Sequence, residues 1–506
     1  MLGKVISFGL KGIDGYKVEV ECDLNRGLPK FEMVGLPDAS VKESKERVRS
    51  AIKNSGYPFP QYKITVNLAP ASTKKEGSLY DLAIACGLLV AEDILVGNKI
   101  NEYVLVGELS LNGDIKPITG ILPLLISAKQ MGFDKFIIPK ANCKEASYIE
   151  GIDVYSFDRL VDVVAYLTGK LDRQADAKSV WRAASDVVFD EDLCRVKGQY
   201  AAKRALEIAA CGGHNILLWG PPGSGKTMMA RCLPSILPDL TFDEALEITK
   251  IHSIAGVLDA KSGIVTSRPF RAPHHTATTV ALTGGGKDSK PGEISLAHNG
   301  VLFLDEFPEY SRNTLETLRQ PIEDGKITIA RANQTVEYPA NFVLVASMNP
   351  CPCGNFGSKT LECTCSAGDI AKYLKKLSGP LMDRIDLKID VDRVTYYDLK
   401  SESREETSSE VRERVNRARQ IQNERFRGTK VHCNAKMNNK MIKEYCVLDA
   451  DGEKLIESAY DKYNLSARGY NRILKVARTI ADLDGSENIL VGHVAEAIAY
   501  RSIDKF

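Results

Sequence analysis

Eight consecutive residues, Gly220-Pro221-Pro222-Gly223-Ser224-Gly225-Lys226-Thr227, have the types and spacing to hold a nucleoside triphosphate. They fit G-x-x-x-x-G-K-[ST], in which glycines let successive backbone N–H groups turn toward phosphate oxygens. Lys226 supplies a point charge to the terminal phosphates and Thr227 a hydroxyl to Mg²⁺. The apolar run Asn215-Ile216-Leu217-Leu218-Trp219 predicts a buried strand before the loop, and Met228 to Leu233 predicts a helix after it. A helix starting there adds partial positive charge under the phosphates. A glycine-rich turn without a ligand would not need this context, so ATP with Mg²⁺ is the expected cofactor.

Two further apolar runs end in polar groups. Val301-Leu302-Phe303-Leu304-Asp305-Glu306 predicts a buried strand delivering carboxylates to the edge where ligands bind in open α/β sheets. Asp305 would hold Mg²⁺ through water and Glu306 would polarise the attacking water; a solvated acidic turn is the alternative. Phe342 to Pro350 predicts a third strand ending at Asn349, which either orients that water or forms an Asn-Pro turn. In Leu381-Met382-Asp383-Arg384-Ile385-Asp386, Arg384 is either a finger reaching a neighbour's nucleotide or one half of a surface ion pair. Cys351, Cys353, Cys363 and Cys365 form C-x-C, nine residues, C-x-C. Four thiols so close suggest a structural zinc site, although the bite is tighter than usual and free or redox-active thiols remain open.

Three basic segments could meet nucleic acid. Residues 253–290 contain Arg268, Arg271, His274, His275 and Lys287. Residues 324–336 read as a hairpin around Ala332-Asn333, with Lys326 and Arg331 placed to touch phosphates without reading sequence. Val411 to Lys430 carries six Arg and one Lys against two Glu. Solvated surface is the alternative for all three. Adjacent residues on an extended chain point apart, so His274 and His275 favour loop packing or phosphate contact over a metal.

The elements that must position these groups fall into regions. Residues 1–168 mix β-like runs (Tyr16–Glu21, Tyr62–Leu68) with helical patterns (Ser40–Ala51, Asp81–Ala91, Pro123–Met131), an α+β region. Residues 169–190 are polar and aperiodic, a linker. Residues 191–395 form the P-loop domain and 396–506 a charged, helix-rich region. Lys+Arg number 67 and Asp+Glu 66, so the whole chain makes no electrostatic case for nucleic acid and any basic surface is local. The N-terminus lacks a signal-peptide pattern and no apolar run approaches a membrane span. Twelve cysteines then point to a reducing, cytoplasmic setting with no membrane partner.

The order of P-loop, Leu-Asp-Glu strand, Ser-Met-Asn-Pro and Met-Asp-Arg-Ile-Asp resembles an AAA+ ATPase of the magnesium-chelatase-like branch, in the helix-2-insert clade. Val196-Lys197-Gly198-Gln199, Arg268-Pro269-Phe270-Arg271-Ala272-Pro273-His274-His275, Pro291 to Gly300, Leu318-Arg319-Gln320-Pro321 and Ser466 to Arg472 resemble the YifB/ComM family over essentially the whole chain. The resemblance implies a parallel-sheet AAA+ core with a helical C-terminal lid. It also implies a hexameric ATPase acting on single-stranded or branched DNA, a helicase promoting branch migration in recombination and natural transformation. By it Asn349 is sensor 1, Arg384 the arginine finger and Arg468 the sensor-2 arginine, with Arg472 a rival. Residues 1–168 resemble the Lon-protease, ribosomal-S5-like domain through Val34-Gly35-Leu36-Pro37, Lys75 to Leu82 and Ile118 to Ile121. The match puts Leu79 where Lon has its serine and Leu124 where it has its lysine, so a non-proteolytic domain is expected. An ATP-dependent protease or a chelatase subunit is the alternative.

Overall fold

The structure, a computed structural model, describes all residues except 183–188, 190, 260–261, 287–288, 332–333, 358–360, 395–399, 401–403, 464 and 502–506. It divides into two compact units, Met1–Arg182 with Ala245–Val265, and Ala183–Glu244 with Thr266–Phe506.

The first unit is built on a seven-stranded sheet in the order Lys30–Val34, Lys63–Ala69, Asp14–Asn25, Leu2–Lys11, Val104–Leu105, Lys135–Pro139, Asp153–Phe157. The first two strands of the chain pair antiparallel, while the strands from Val104 onward run parallel. The helix Asp81–Ala91 reads as a continuous apolar run because it is buried nearly all round. Helices Ala39–Asn54 and Ile121–Gln130 complete the α+β arrangement. Residues 169–182, expected as linker, are tied to this unit: Asp176 N–H donates to Val154 O at 2.7 Å, and the Asp176 carboxylate accepts from Ser156 N–H at 2.7 Å. The rest of that linker lies largely outside the described residues. The helix Phe242–Ala255 also joins this unit from Ala245 onward, so the expected 191–395 domain is interrupted there.

The second unit carries a five-stranded sheet in the order Phe270–Arg271, Val301–Leu304, Val343–Met348, Ile216–Trp219, Leu387–Asp390, parallel at every pairing. The three inner strands, Val301–Leu304, Val343–Met348 and Ile216–Trp219, are buried at every position because both faces are covered. Alternate residues feed two cores: Ile216, Leu218, Val301, Phe303 and Val345 face one, and Leu217, Trp219, Leu302, Leu304 and Leu344 the other. The first of these cores also takes Val411, Val415, Ile473 and Ile480, so the C-terminal helices belong to the same compact unit. Those helices start at side-chain caps: Thr407 with Glu410 for Ser408–Arg425, Asp449 for Ala450–Lys462 and Ser466 for Ala467–Leu483. No described helix is long and apolar enough to cross a membrane.

Candidate ATPase site

Three neighbouring parallel strands end on one edge of the second sheet, and their ends bring the sequence-predicted groups together. The P-loop follows the strand Ile216–Trp219 and runs into the helix Lys226–Ile236. Gly223 and Gly225 hold φ of 76° and 88°, left-handed values open to glycine and strained for other residues. Gly220 is fixed for a different reason, since a Cβ there would lie 2.2 Å from Val391 O. The buried Lys226 ammonium donates to Gly220 O and Pro221 O at 2.8 Å and to Asn349 Oδ1 at 3.2 Å. Burial pushes its pKa down from 10.5 to about 8, against the opposing pull of Asp305.

Asp305 is the hub of the acidic side. It accepts from the Thr227 hydroxyl at 2.9 Å, from Glu306 N–H at 3.0 Å, and from the Ser347 hydroxyl. A carboxylate fixed this way beside a P-loop hydroxyl has the donor set for a hydrated magnesium ion. Glu306 sits at φ 51°, uncommon for a residue with a Cβ and of the kind stored at functional sites. Its carboxylate lies 3.2 Å from His275 Nδ1 and is more than half exposed. A base held in that way can polarise a water.

His275 is a group that sequence reasoning did not place. The rings of His274 and His275 do not point apart; their centroids are 4.1 Å from each other. The loop carrying them leaves the strand Phe270–Arg271, which pairs parallel with Val301–Leu302, so both strands deliver their next residues to the same edge. The Tyr310 hydroxyl pins the loop by donating to Pro273 O at 2.6 Å.

The arginines lie elsewhere. The Arg384 guanidinium is buried but its partner carboxylate is exposed: the guanidinium is 2.7 Å from Glu323 Oε1 and donates to Pro380 O. Arg468 is exposed and 3.9 Å from the same Glu323 carboxylate. Arg472 donates to Asp386 and to Arg384 O. Asn215 Nδ2–H also donates to Arg384 O, at 3.1 Å, which places Arg384 at the start of the P-loop strand. Asn215 and Gly220 are five residues apart in extended chain, about 16 Å. Arg384 therefore sits at the opposite end of the strand Ile216–Trp219 from the P-loop that follows it.

The expected nucleic-acid contacts are corrected in part. Arg268 is spent on the fold, donating to Pro238 O at 2.6 Å and Asn299 O at 2.7 Å and pairing with Glu244 at 2.9 Å. Arg271 is bidentate on Glu293 at 2.6 and 2.7 Å. In the basic helix, Arg414 pairs with Glu207 and Glu406, Arg425 with Asp482, and Arg419 donates to His432 O and Ala210 O. The hairpin does form, Lys326–Arg331 against Gln334–Pro339, with an exposed Lys326 held 2.9 Å from Glu337. Lys287, the tip 332–333 and the Arg331 side chain lie outside the described residues. The four clustered cysteines converge, their sulfurs all within 4.8 Å of one another.

A parallel sheet of this order, with the P-loop, the Asp305 strand end and Asn349 on one edge, is consistent with a P-loop ATPase of AAA+ type. Comparison with known proteins agrees: the family model described as magnesium chelatase, subunit ChlI, matches residues 192–399, with companion ChlI models on 20–142 and 405–501. The chain is 44% identical over 506 residues to competence protein ComM of Haemophilus influenzae, covering 99% of this chain and 98% of that protein. It is 44% identical over 497 residues to YifB of Escherichia coli K12, covering 98% and 96%. Lon protease 2 of Bacillus subtilis is 32% identical over 149 residues, 27% of this chain and 26% of that protein. The chain belongs to the YifB/ComM family of magnesium-chelatase-like proteins, and that membership supports an ATPase using ATP and Mg²⁺.

Proposed function

We propose that this chain is an ATP-hydrolysing ring motor, a hexamer acting on single-stranded or branched DNA as a branch-migration helicase. The observation that carries the ring is the placement of Arg384 at the end of the strand Ile216–Trp219 away from its own P-loop. An arginine there serves a nucleotide only from the next subunit. Arg468 shares Glu323 with Arg384, so both arginines would leave one carboxylate together when a neighbour's phosphate competes for them. Bound ATP and Mg²⁺ supply the phosphoanhydride and the cation that neutralises developing charge. Lys226 and the P-loop amides bind the phosphates, Thr227 and Asp305 hold the cation's position, Glu306 takes the water's proton, and Asn349 aligns that water. DNA as substrate draws on the likeness to competence protein ComM and on the exposed Lys326 hairpin.

The N-terminal region, residues 1–168, is read as a Lon-like domain without proteolytic chemistry. Leu124 is wholly buried and Leu79 packs against the core, so neither position can transfer a proton. Ser78, the adjacent hydroxyl, donates to Glu108, with neither a lysine nor a histidine in the base's place. A chelatase subunit is the competing reading suggested by the family models' names. An ATPase assay on the full chain with single-stranded, duplex and four-way-junction DNA separates the three. Stimulation that weakens with salt is expected. A rate and oligomer population unmoved by saturating DNA would sink the motor reading.

A further inference from the structure

The geometry points to a mononuclear zinc site formed by Cys351, Cys353, Cys363 and Cys365 that braces the P-loop through Gly354 and Pro222. The sulfurs of Cys351, Cys353 and Cys363 are separated by 3.3, 3.7 and 3.6 Å, and all four lie within 4.8 Å. Zinc–thiolate bonds of about 2.3 Å in a tetrahedron give sulfur–sulfur edges of about 3.8 Å. The thiols are thus already spaced for one ion and too close for an iron–sulfur cluster, which interposes several atoms. Two backbone N–H groups point at the sulfurs, Phe356 N–H to Cys351 at 3.3 Å and Cys353 N–H to Cys365 at 3.4 Å. Such donors offset thiolate charge and orient the ligands. Four protein ligands close the coordination sphere, so the site is structural.

What it braces follows from the same turn. Cys351 is buried two residues beyond Asn349, whose Oδ1 accepts from Lys226. Gly354 N–H closes the turn onto Cys351 O at 3.0 Å. Gly354 has φ 82°, and a Cβ there would stand 2.5 Å from Pro222 Cδ, inside the P-loop. The knuckle therefore rests directly on the phosphate-binding loop at Gly354 and is covalently continuous with the residue that touches Lys226. Fixing the four sulfurs fixes both.

The metal assignment stands on the thiols alone; the bracing rests on the nucleotide site proposed above. Full-length protein purified under reducing conditions without chelator is measured by inductively coupled plasma mass spectrometry. One zinc per chain is expected; less than a tenth, or iron in its place, overturns the site. Cys363→Ser with Cys365→Ser should lose the zinc. Chelator-stripped wild-type protein, which needs no substitution, should bind a fluorescent ATP analogue about tenfold more weakly, because misplacing a positioned group by on the order of 1 Å costs that much or more. Gly354→Ala should keep one zinc and still weaken the nucleotide, by pushing on Pro222. Unchanged affinity in both overturns the bracing. Lys226→Ala should lose the nucleotide and keep the zinc; failure to bind nucleotide in the zinc-loaded wild type would instead sink the ATPase reading and leave the metal standing.

Discussion

The burial of Lys226 predicts nucleotide binding that depends on pH in a range where a lysine is ordinarily insensitive. Its ammonium is buried against the P-loop carbonyls, and its pKa falls from 10.5 to about 8. Phosphate binding needs the charged form. With a pKa of about 8, the charged fraction is about 0.9 at pH 7, about 0.5 at pH 8 and about 0.09 at pH 9 by simple titration. The apparent affinity for ATP at fixed Mg²⁺ should then fall about tenfold between pH 7 and pH 9. The phosphates contribute little across that window, since their last pKa is near 6. The assay is a titration with a fluorescent ATP analogue at pH 7, 8 and 9, in wild type and in Lys226→Arg. The guanidinium stays charged throughout, so the variant's affinity, though lower, should be flat. An affinity constant within about twofold in the wild type, or an equal slope in the variant, refutes the reasoning that burial of Lys226 sets the dependence.

Three further outcomes test the rest of the site. Glu306→Gln should bind ATP with unchanged affinity and hydrolyse it on the order of 10²–10⁴ times more slowly. His275→Ala should lower kcat about tenfold at constant KM and have no further effect in the Glu306→Gln background, as expected when one residue acts through the other; additive losses would separate them. Arg384→Ala and Lys226→Ala should each be inactive alone. Mixed in equal amounts and allowed to reassemble, they should recover activity at about a quarter of the interfaces, those joining an intact P-loop to an intact finger. No recovery would place Arg384 outside the neighbour's site.

What was legible in the chain was what is local or doubly buried. The P-loop is contiguous, and its strand, the Asp305 strand and the Asn349 strand are apolar throughout because both sheet faces are covered, so their ends could be read as one edge. The hairpin was legible from two alternating runs around a turn. His275 was not, because only the pairing of Phe270 with Val301 brings its loop to Glu306, and short parallel strands leave little trace in the pattern. Residues 169–182 read as linker because their contacts are scattered backbone hydrogen bonds and a few polar side-chain contacts of Arg173, Asp176 and Ser179, which composition does not record.

The same limit explains the basic segments. A count of arginines measures supply, and the fold consumes most of it before any ligand arrives. Arg268 is taken by Glu244 from 24 residues upstream, Arg271 by Glu293, Arg414 by Glu207, and Arg425 by Asp482. A chain with 67 basic and 66 acidic side chains has carboxylates enough to do this. The largely buried pairs, those of Arg268 and Arg425, are costly to break, because losing one partner strands the other's charge away from water. Phosphate would have to outcompete a bidentate carboxylate already in place at Arg271, whereas at the exposed Lys326 it competes only with a solvated Glu337. An exposed pair contributes about 0–1 kcal/mol, so the exchange there is cheap. If the chain grips DNA, the hairpin is therefore a segment whose charge remains available, as does that of the exposed Arg417, Arg427 and Lys430, and Arg268 is the one whose loss should unfold the domain before it weakens a DNA contact.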